Sequence, residues 1–247
     1  MKNYLILSVF IISLGIGLAT CSSITDAKVV GEEDLNESLK ISGLIYHNEA
    51  GWQEVKEQIA DGNAYYVKAL KNIIKKADAF LELEANPVVN KSIIPPSGDK
   101  HDYLSLAPYW WPNPDTKDSL PWIRKDGEVN PLTRGDNTDR NRLAEMLTAL
   151  DYLTIAYYYT DNALYAQKAM SLMKIWFVDA ETRVNPNINF GQGVPGKSEG
   201  RPFGVIEWNR ITRVVTALQI LDESNLLDPT LKKAMNYWLS DYTDWLL

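Results

Sequence analysis

Residues 140–177 read RNRLAEMLTALDYLTIAYYYTDNALYAQKAMSLMKIWF. Leu143, Met146, Leu147, Leu150, Leu153 and Tyr157 recur at three- and four-residue steps, the spacing that gathers apolar side chains on one face of an α-helix. Asp161-Asn162 makes a short turn, after which Leu164, Ala169, Leu172, Met173, Trp176 and Phe177 resume the period. Two helices of similar length joined so closely must lie antiparallel. Asp136 or Thr138 is the expected cap of the first of them.

The same period extends in both directions. Upstream, Trp52, Val55 and Ile59 share a face, and after Asp61-Gly62 the set Tyr66, Ala69, Leu70, Ile73, Ile74, Ala77 and Leu81 continues until Asn86-Pro87. Downstream, one helix is expected from Ile206, Ile211, Val214, Val215, Leu218 and Leu221. Another carries Leu231, Ala234, Met235, Trp238 and Leu246, and Asp228-Pro229 marks its start. Strand alternation is weak throughout, so the expected fold class is all-α, built from antiparallel helical hairpins. Periodicity leaves open whether they form an open solenoid or close into an α/α toroid.

Two connections break the pattern. From Asn86 to Gly135 the chain runs for roughly fifty residues without helical spacing, a length at which loops are functional or contain short strands. The second, Val184 to Arg201, is rich in Asn, Gly and Pro. The first holds His101, then Tyr109-Trp110-Trp111 set among prolines, an arrangement that cannot bury every ring in one core. Rigid aromatic faces flanked by polar groups suit sugar rings; the alternative is a lid that buries Trp110 and Trp111 as anchors.

Charge constrains the partners. The 247 residues carry a net −7, which disfavours nucleic acid as a partner and requires a local basic site for any anionic ligand. Arg183 to Arg213 supplies one, with five basic residues and two acidic ones, a net of +3. Taken singly, Lys197 and Arg201 in that segment read as solvated. Glu207 and Arg210, three apart, are expected to form a helix surface pair, or Arg210 holds a substrate carboxylate.

Residues 1–20 read as an export signal, with Lys2 before an apolar run from Leu5 to Leu18 that is short for a membrane span. Leu18-Ala19-Thr20-Cys21 resembles a bacterial lipobox, which would make Cys21 a lipidated first residue and give the chain its one link to a membrane. Simple cleavage near Ala19 is the alternative. Either route leads to an exported protein, periplasmic or anchored at the outer membrane. Cys21 is the sole cysteine, so no disulfide can form within the chain. Residues 21–48 read as an acidic tether: Asp26 to Asp61 holds nine acidic residues against three lysines, a net of −6. His47 falls in this tether. With two histidines and one cysteine, no metal-ligand spacing, phosphate loop or G-x-S-x-G occurs, and no cofactor is expected.

The run from His101 through Tyr109-Trp110-Trp111-Pro112-Asn113-Pro114 to Arg124-Lys125-Asp126-Gly127-Glu128-Val129-Asn130-Pro131 resembles the alginate-lyase superfamily of polysaccharide lyases. The resemblance continues through Asn137-Thr138-Asp139-Arg140, Asn187 to Gly196, and Gly204-Val205-Ile206-Glu207, covering roughly residues 50 to 247. It implies an α/α toroid with residues 49–247 as its domain, and an anionic polysaccharide as partner, cleaved by β-elimination. It assigns substrate-binding roles to Tyr109, Trp110, Trp111, Asn189, Gln192 and Arg210, with His101 as a further candidate. In the family an Asn-His pair and a Tyr move the protons, in a segment after the helix matching Tyr237 to Leu247. No Asn-His dipeptide occurs in this sequence. The expectation is therefore an incomplete toroid, truncated at its carboxyl end, with two long substrate-binding loops and without its catalytic residues. A glycoside hydrolase on the same scaffold would need two opposed carboxylates, for which Asp102, Asp126, Asp136 and Glu207 are available. A non-catalytic glycan-binding lipoprotein is the third reading.

Overall fold

A computed structural model describes residues 48–247. The export segment, Cys21, His47 and nearly all of the acidic tether lie outside the described residues. Six α-helices carry the described part: α1 Glu49–Ala60, α2 Ala64–Leu81, α3 Arg140–Thr160, α4 Ala163–Phe177, α5 Thr212–Glu223 and α6 Pro229–Leu246. The fold is all-α as expected, and no helix among the described residues is long and apolar enough to cross a membrane.

The helix starts follow local chemistry. Asn48, Asn63, Asn162 and Asp228 each accept a backbone N–H of the first turn, from Gly51, Tyr65, Leu164 and Leu231 respectively. Pro229 takes the first-turn position where its missing N–H costs nothing. Asp161 absorbs the turn between α3 and α4 in a left-handed conformation, φ 54°.

Helix α3 is the centre of the molecule, packing against α2, α4 and α5. Leu143, Met146, Leu147, Leu150, Leu153 and Tyr157 are buried as their spacing requires, and so are Leu172, Met173, Trp176 and Phe177 on α4. The first hairpin is more peripheral than its apolar pattern suggests. Of α2 only Ala77 is fully buried, and α1 has no buried residue; its Trp52 lies edge-on to Tyr158 with ring centroids 4.9 Å apart. The expected helix spanning Ile206 to Leu221 divides in two: residues 202–211 wind as a tighter 3-10 segment, and the α-helix starts at Thr212. Trp208 from that segment joins the core, stacked on Trp238 at 5.9 Å, and Trp238 stacks on Tyr242 at 5.3 Å.

Both long connections contain short strands, one of the two outcomes expected for the first. β1 Leu104–Leu106 pairs in parallel with β4 Phe190–Gly193, and β2 Trp110–Trp111 pairs antiparallel with β3 Ile123–Arg124. The loops are thereby stitched to each other across more than eighty residues of sequence.

They are stitched to the helices by a buried charge. Neither Asp136 nor Thr138 caps α3; Asp139 holds that position, and its carboxylate makes no capping bond to the first-turn N–H groups. It lies 3.0 Å from the Lys91 ammonium and accepts the Leu104 N–H at 2.9 Å. Lys91 also donates to the carbonyls of Val88 and Lys100, and both side chains are fully buried. Arg142 lies against the other Asp139 oxygen and donates to Asn86 Oδ1 and the Asp136 carbonyl. Burial pushes the Asp139 carboxyl up to about 6 and the Lys91 ammonium down, while each one's charge partly restores the other.

Removing one member of such a pair strands the other in a dry interior. Asp139→Ala is expected to destabilise the fold by about 3–5 kcal/mol in urea unfolding, and Lys91→Met combined with Asp139→Leu to recover most of the loss. Equal losses in the single and double variants would contradict this role.

Candidate functional site

Strand β4 reaches the site through an irregularity. Leu104 pairs with Phe190 but Leu106 with Gly193, so β4 carries one extra residue and bulges. Gln192 sits at the bulge with φ 50°, a conformation that costs a residue with a Cβ about 1–2 kcal/mol. It is held there from several sides. Its N–H donates to Ser105 Oγ at 2.8 Å, and its side-chain oxygen accepts from Arg201 Nη2 at 3.0 Å. Its backbone carbonyl accepts from Arg201 Nε at 2.9 Å. Glycines let the backbones close in around it: a Cβ on Gly200 would stand 1.8 Å from the Asn189 carbonyl oxygen.

Next to Gln192 lies the hub of the site, the Glu207 carboxylate, whose side chain is 3% exposed. Tyr103 and Ser105 donate their hydroxyls to Oε2 at 2.7 and 2.5 Å. Gln192 Nε2 approaches Oε1 at 3.4 Å, and Arg140 Nη1 lies 3.0 Å from the same oxygen. The expected pairing of Glu207 with Arg210 is replaced by these contacts, because the 3-10 winding turns Glu207 inward toward β1 and α3 while Arg210 remains exposed. Burial, and then the Glu207 charge, push the Tyr103 hydroxyl well above its ordinary value, so it stays a donor.

One guanidinium, that of Arg140, pairs with this carboxylate and two more feel its charge. Arg134 is half-buried, and burial followed by repulsion from Arg140 lowers its proton affinity, with Glu207, Tyr109 and Tyr103 acting in the opposite sense. Arg201 is lowered by burial and then by Arg124, with Glu207 opposing. Among the described residues, neither Arg134 nor Arg201 has a carboxylate within ion-pair distance. The site therefore has surplus positive charge beside an open surface, in a chain whose net charge is negative. Arg201 is part of this network rather than solvated, as its sequence neighbourhood alone suggested.

The other residues singled out by sequence are spread around the hub. Tyr109 is exposed and close enough to Arg134 to act on its charge. Trp110 packs on Leu106, Ala107, Trp122 and Val194, with the Lys197 ammonium 4.6 Å from its ring centre. Trp111 donates its indole N–H to the Glu128 carbonyl and lies under Lys125. Asn189 is exposed and accepts from the Trp245 indole at 2.9 Å. His101 stands apart, its Nδ1 2.6 Å from the Arg183 carbonyl oxygen. Gln192 is thus at the hub, Tyr109 acts on Arg134, Trp110 packs on a separate small cluster, and His101 and Arg210 are not among the residues that contact Glu207. Sequence reading missed Arg134, Arg140, Tyr103 and Ser105. Arg140 closes the Asn137-Thr138-Asp139-Arg140 block, the one signal that could have drawn attention to it.

A cavity of about 1020 Å³ lies elsewhere, between the carboxyl ends of α2 and α4. Glu82, Glu84, Asp179 and Glu181 line it beside Lys168, a lining that repels a polyanion. No group of three or more His, Cys, Asp or Glu among the described residues could hold a metal ion.

Comparison with known proteins places this geometry. The alginate lyase family model matches residues 88–247. The crystal structure of an alginate lyase from Bacteroides ovatus superposes with a TM-score of 0.74 at 40% sequence identity, over 79% of this chain and 51% of that one. The chain thus spans about half the length of that relative, in the α/α-toroid architecture. No curated protein matches the chain.

Glu207→Gln keeps one acceptor oxygen, which can still receive Tyr103 and Ser105, but sets an uncharged NH2 donor against Arg140 and leaves that guanidinium unpaired. Urea unfolding is expected to register a loss of about 1.5–3 kcal/mol, the range for a hydrogen-bonded charge. A variant as stable as the parent would show that the carboxylate does not hold the arginines in place.

Proposed function

The chain belongs to the alginate lyase family, and we propose that it binds a uronate-containing polysaccharide, alginate or glucuronan, for cleavage by β-elimination. The observation that supports this most is the Glu207–Gln192 pair, to which Arg140 is joined at Glu207 and Arg201 at Gln192, with Arg134 near enough to feel the Glu207 charge. In β-elimination the proton on C5, next to the uronate carboxylate, is removed. Its bonding electrons form the C4–C5 double bond, and the C4–O bond breaks as the departing sugar takes up a proton. The C5 proton is acidic enough only if the carboxylate's charge is neutralised by fixed donors. Arg134, with Tyr109 beside it, is placed to do this, and Glu207 holds Arg140 in a fixed orientation next to it. We assign these residues carboxylate recognition and assign none of the described residues the proton transfers.

Hydrolysis would need two carboxylates free to face each other across a glycosidic bond. Glu207 is engaged by four partners. Asp102 is held by Ser97, Asn185 and Asn187, and Asp126 pairs with Arg124. This arrangement favours elimination over hydrolysis. We further propose export by residues 1–20 and lipid attachment at Cys21, on the strength of the Leu18-Ala19-Thr20-Cys21 sequence. Labelled fatty acid should enter the expressed protein and be absent from Cys21→Ser; an unlabelled parent would instead support simple cleavage.

The functional reading is tested by incubation with polymannuronate, polyguluronate and glucuronan, together with calorimetric titration of their oligomers. Oligomer binding that Arg134→Ala weakens by about tenfold, the equivalent of one charge-assisted contact, is expected. Unsaturated uronate absorbance marks elimination wherever turnover occurs. New reducing ends without that absorbance would replace the lyase reading with hydrolysis, and binding with neither product would favour a glycan-binding role.

A further inference from the structure

We propose that the outward face of α2, carrying Lys68, Lys71, Lys75 and Lys76 with Tyr65 at its amino end, is a separate docking surface for the anionic polysaccharide, which retains the polymer at a place that takes no part in the Glu207 site. The inference rests on the uronate-binding reading above and adds a surface to it.

Helix α2 is oriented by its apolar side. Ile73, Phe80 and Leu81 pack on the core, Ala77 is buried, and the Phe80 ring stacks on Tyr152 at 6.0 Å. Helical spacing gathers Tyr65 and the four lysines on the opposite side, and all five are exposed. The one carboxylate on α2, Asp78, accepts the Tyr165 hydroxyl at 2.6 Å and so faces α4. From Lys68 to Lys76 the row covers about 12 Å of helix axis.

These lysines are the exception among the helices. Lys56 lies near Asp161 and over Tyr158, Lys168 donates to the Leu83 carbonyl, and Lys174 pairs with Asp179. Lys232 pairs with Asp222, and Lys233 lies over the Tyr237 ring. Every lysine on the other described helices thus has a partner, whereas among the described residues the four on α2 form no ion pair, hydrogen bond or ring contact. Nor do they serve the helix itself. Lys68 with Lys71, and Lys71 with Lys75, set like charges at three- and four-residue spacing, which weakens a helix. None lies in the last turn, where a cation would offset the helix dipole. In a chain of net −7, a row of uncompensated positive charge is matched by an anion from outside the chain.

The row also selects the kind of anion. A single carboxylate meets one ammonium at a time, while a polymer with a carboxylate on every sugar meets the whole row. Ammonium groups on flexible stems tolerate variation in spacing, unlike the constrained guanidinium groups near Glu207, so this surface retains polymer without choosing one sugar. Tyr65, 75% exposed and edge-on to Tyr66 at 5.2 Å, adds a flat face on which the C–H side of a sugar can stack. Glu82 caps the carboxyl end and, with Glu84, bounds the surface there with negative charge. A helix lying on a lipid surface would instead turn its apolar face to the bilayer, and that face of α2 is spent on the protein core.

The test is affinity electrophoresis through long-chain polymannuronate beside calorimetric titration of the mannuronate tetrasaccharide. The proteins compared are the parent, Arg134→Ala, a variant combining Lys68→Gln, Lys71→Gln, Lys75→Gln and Lys76→Gln, and one with arginine at the same four positions. Glutamine and arginine favour helix about as well as lysine and the positions are exposed, so the fold is not at stake. Because a polymer held at two places gains avidity, the glutamine variant is expected to lose about tenfold in polymer affinity and to keep tetrasaccharide affinity within about twofold. The arginine variant is expected to match the parent, and Arg134→Ala to weaken both ligands. Unchanged polymer binding in the glutamine variant, or an equal loss for polymer and tetrasaccharide, would overturn the α2 surface and leave the uronate reading standing if Arg134→Ala keeps its effect. Loss of binding to phosphatidylglycerol vesicles in the glutamine variant, with polymer binding intact, would assign the lysines to a lipid surface instead. Failure of the parent to bind either sugar ligand would overturn the reading on which the proposal rests.

Discussion

The contact between Lys91 and Asp139, 3.0 Å apart and closed to solvent, is the point from which the site is built. A fifty-residue connection with little regular structure has few backbone partners of its own, so its shape must come from anchors in the helical body. Asp139 provides the anchor from the cap position of α3. By accepting the Leu104 N–H it fixes β1, and by returning its own N–H to the Leu104 carbonyl it fixes both sides of that residue. Helix α3 forgoes a side-chain cap so that the loop can be held. With β1 in place, Tyr103 and Ser105 on either side of Leu104 reach Glu207, and Ser105 also receives the N–H of the strained Gln192. The geometry of the candidate site thus traces back to one buried ion pair.

The site's other support is aromatic. Trp208 follows Glu207 directly and is buried beneath Tyr103, Trp238 and Tyr242. Their packing fixes the 3-10 segment and, with it, the direction of the Glu207 side chain. A single carboxylate so placed orders surrounding arginines without neutralising them all: Arg140 is satisfied, while Arg134 and Arg201 keep charge available. Charge held ready in a fixed position suits recognition of an anion that must lose its own charge for the chemistry to proceed. The acidic cavity between α2 and α4 offers the reverse field.

Much of the helical body was legible because a three- to four-residue apolar period has one structural meaning when it persists for several turns. Leu143 to Tyr157 and Leu172 to Phe177 are the clearest cases. The turn chemistry of Asp161-Asn162 and Asp228-Pro229 was equally direct. Periodicity overstated the burial of α1 and α2, because it reports which face is apolar and not how completely a neighbour covers it. Residues 202–211 looked like the start of a helix, since a 3-10 winding shares the i, i+3 spacing. The parallel pairing of β1 with β4 and the bulge at Gln192 had no local signature, because both depend on chain segments more than eighty residues apart. The net positive segment from Arg183 to Arg213 was visible as a sum, yet it is Arg134 and Arg140, outside it, that join Arg201 around Glu207. Gln192 was singled out through family resemblance; its φ of 50° gives the physical reason that position is special.

The most direct measurement is the crystal structure of the protein soaked with a tetrauronate. The expected density places a sugar carboxylate within hydrogen-bond distance of Arg134 on the Tyr109 side. Sugar density confined to the Glu82–Glu84–Asp179–Glu181 cavity, or lying with its carboxylates turned to solvent away from all three arginines, would contradict the assignment of this site.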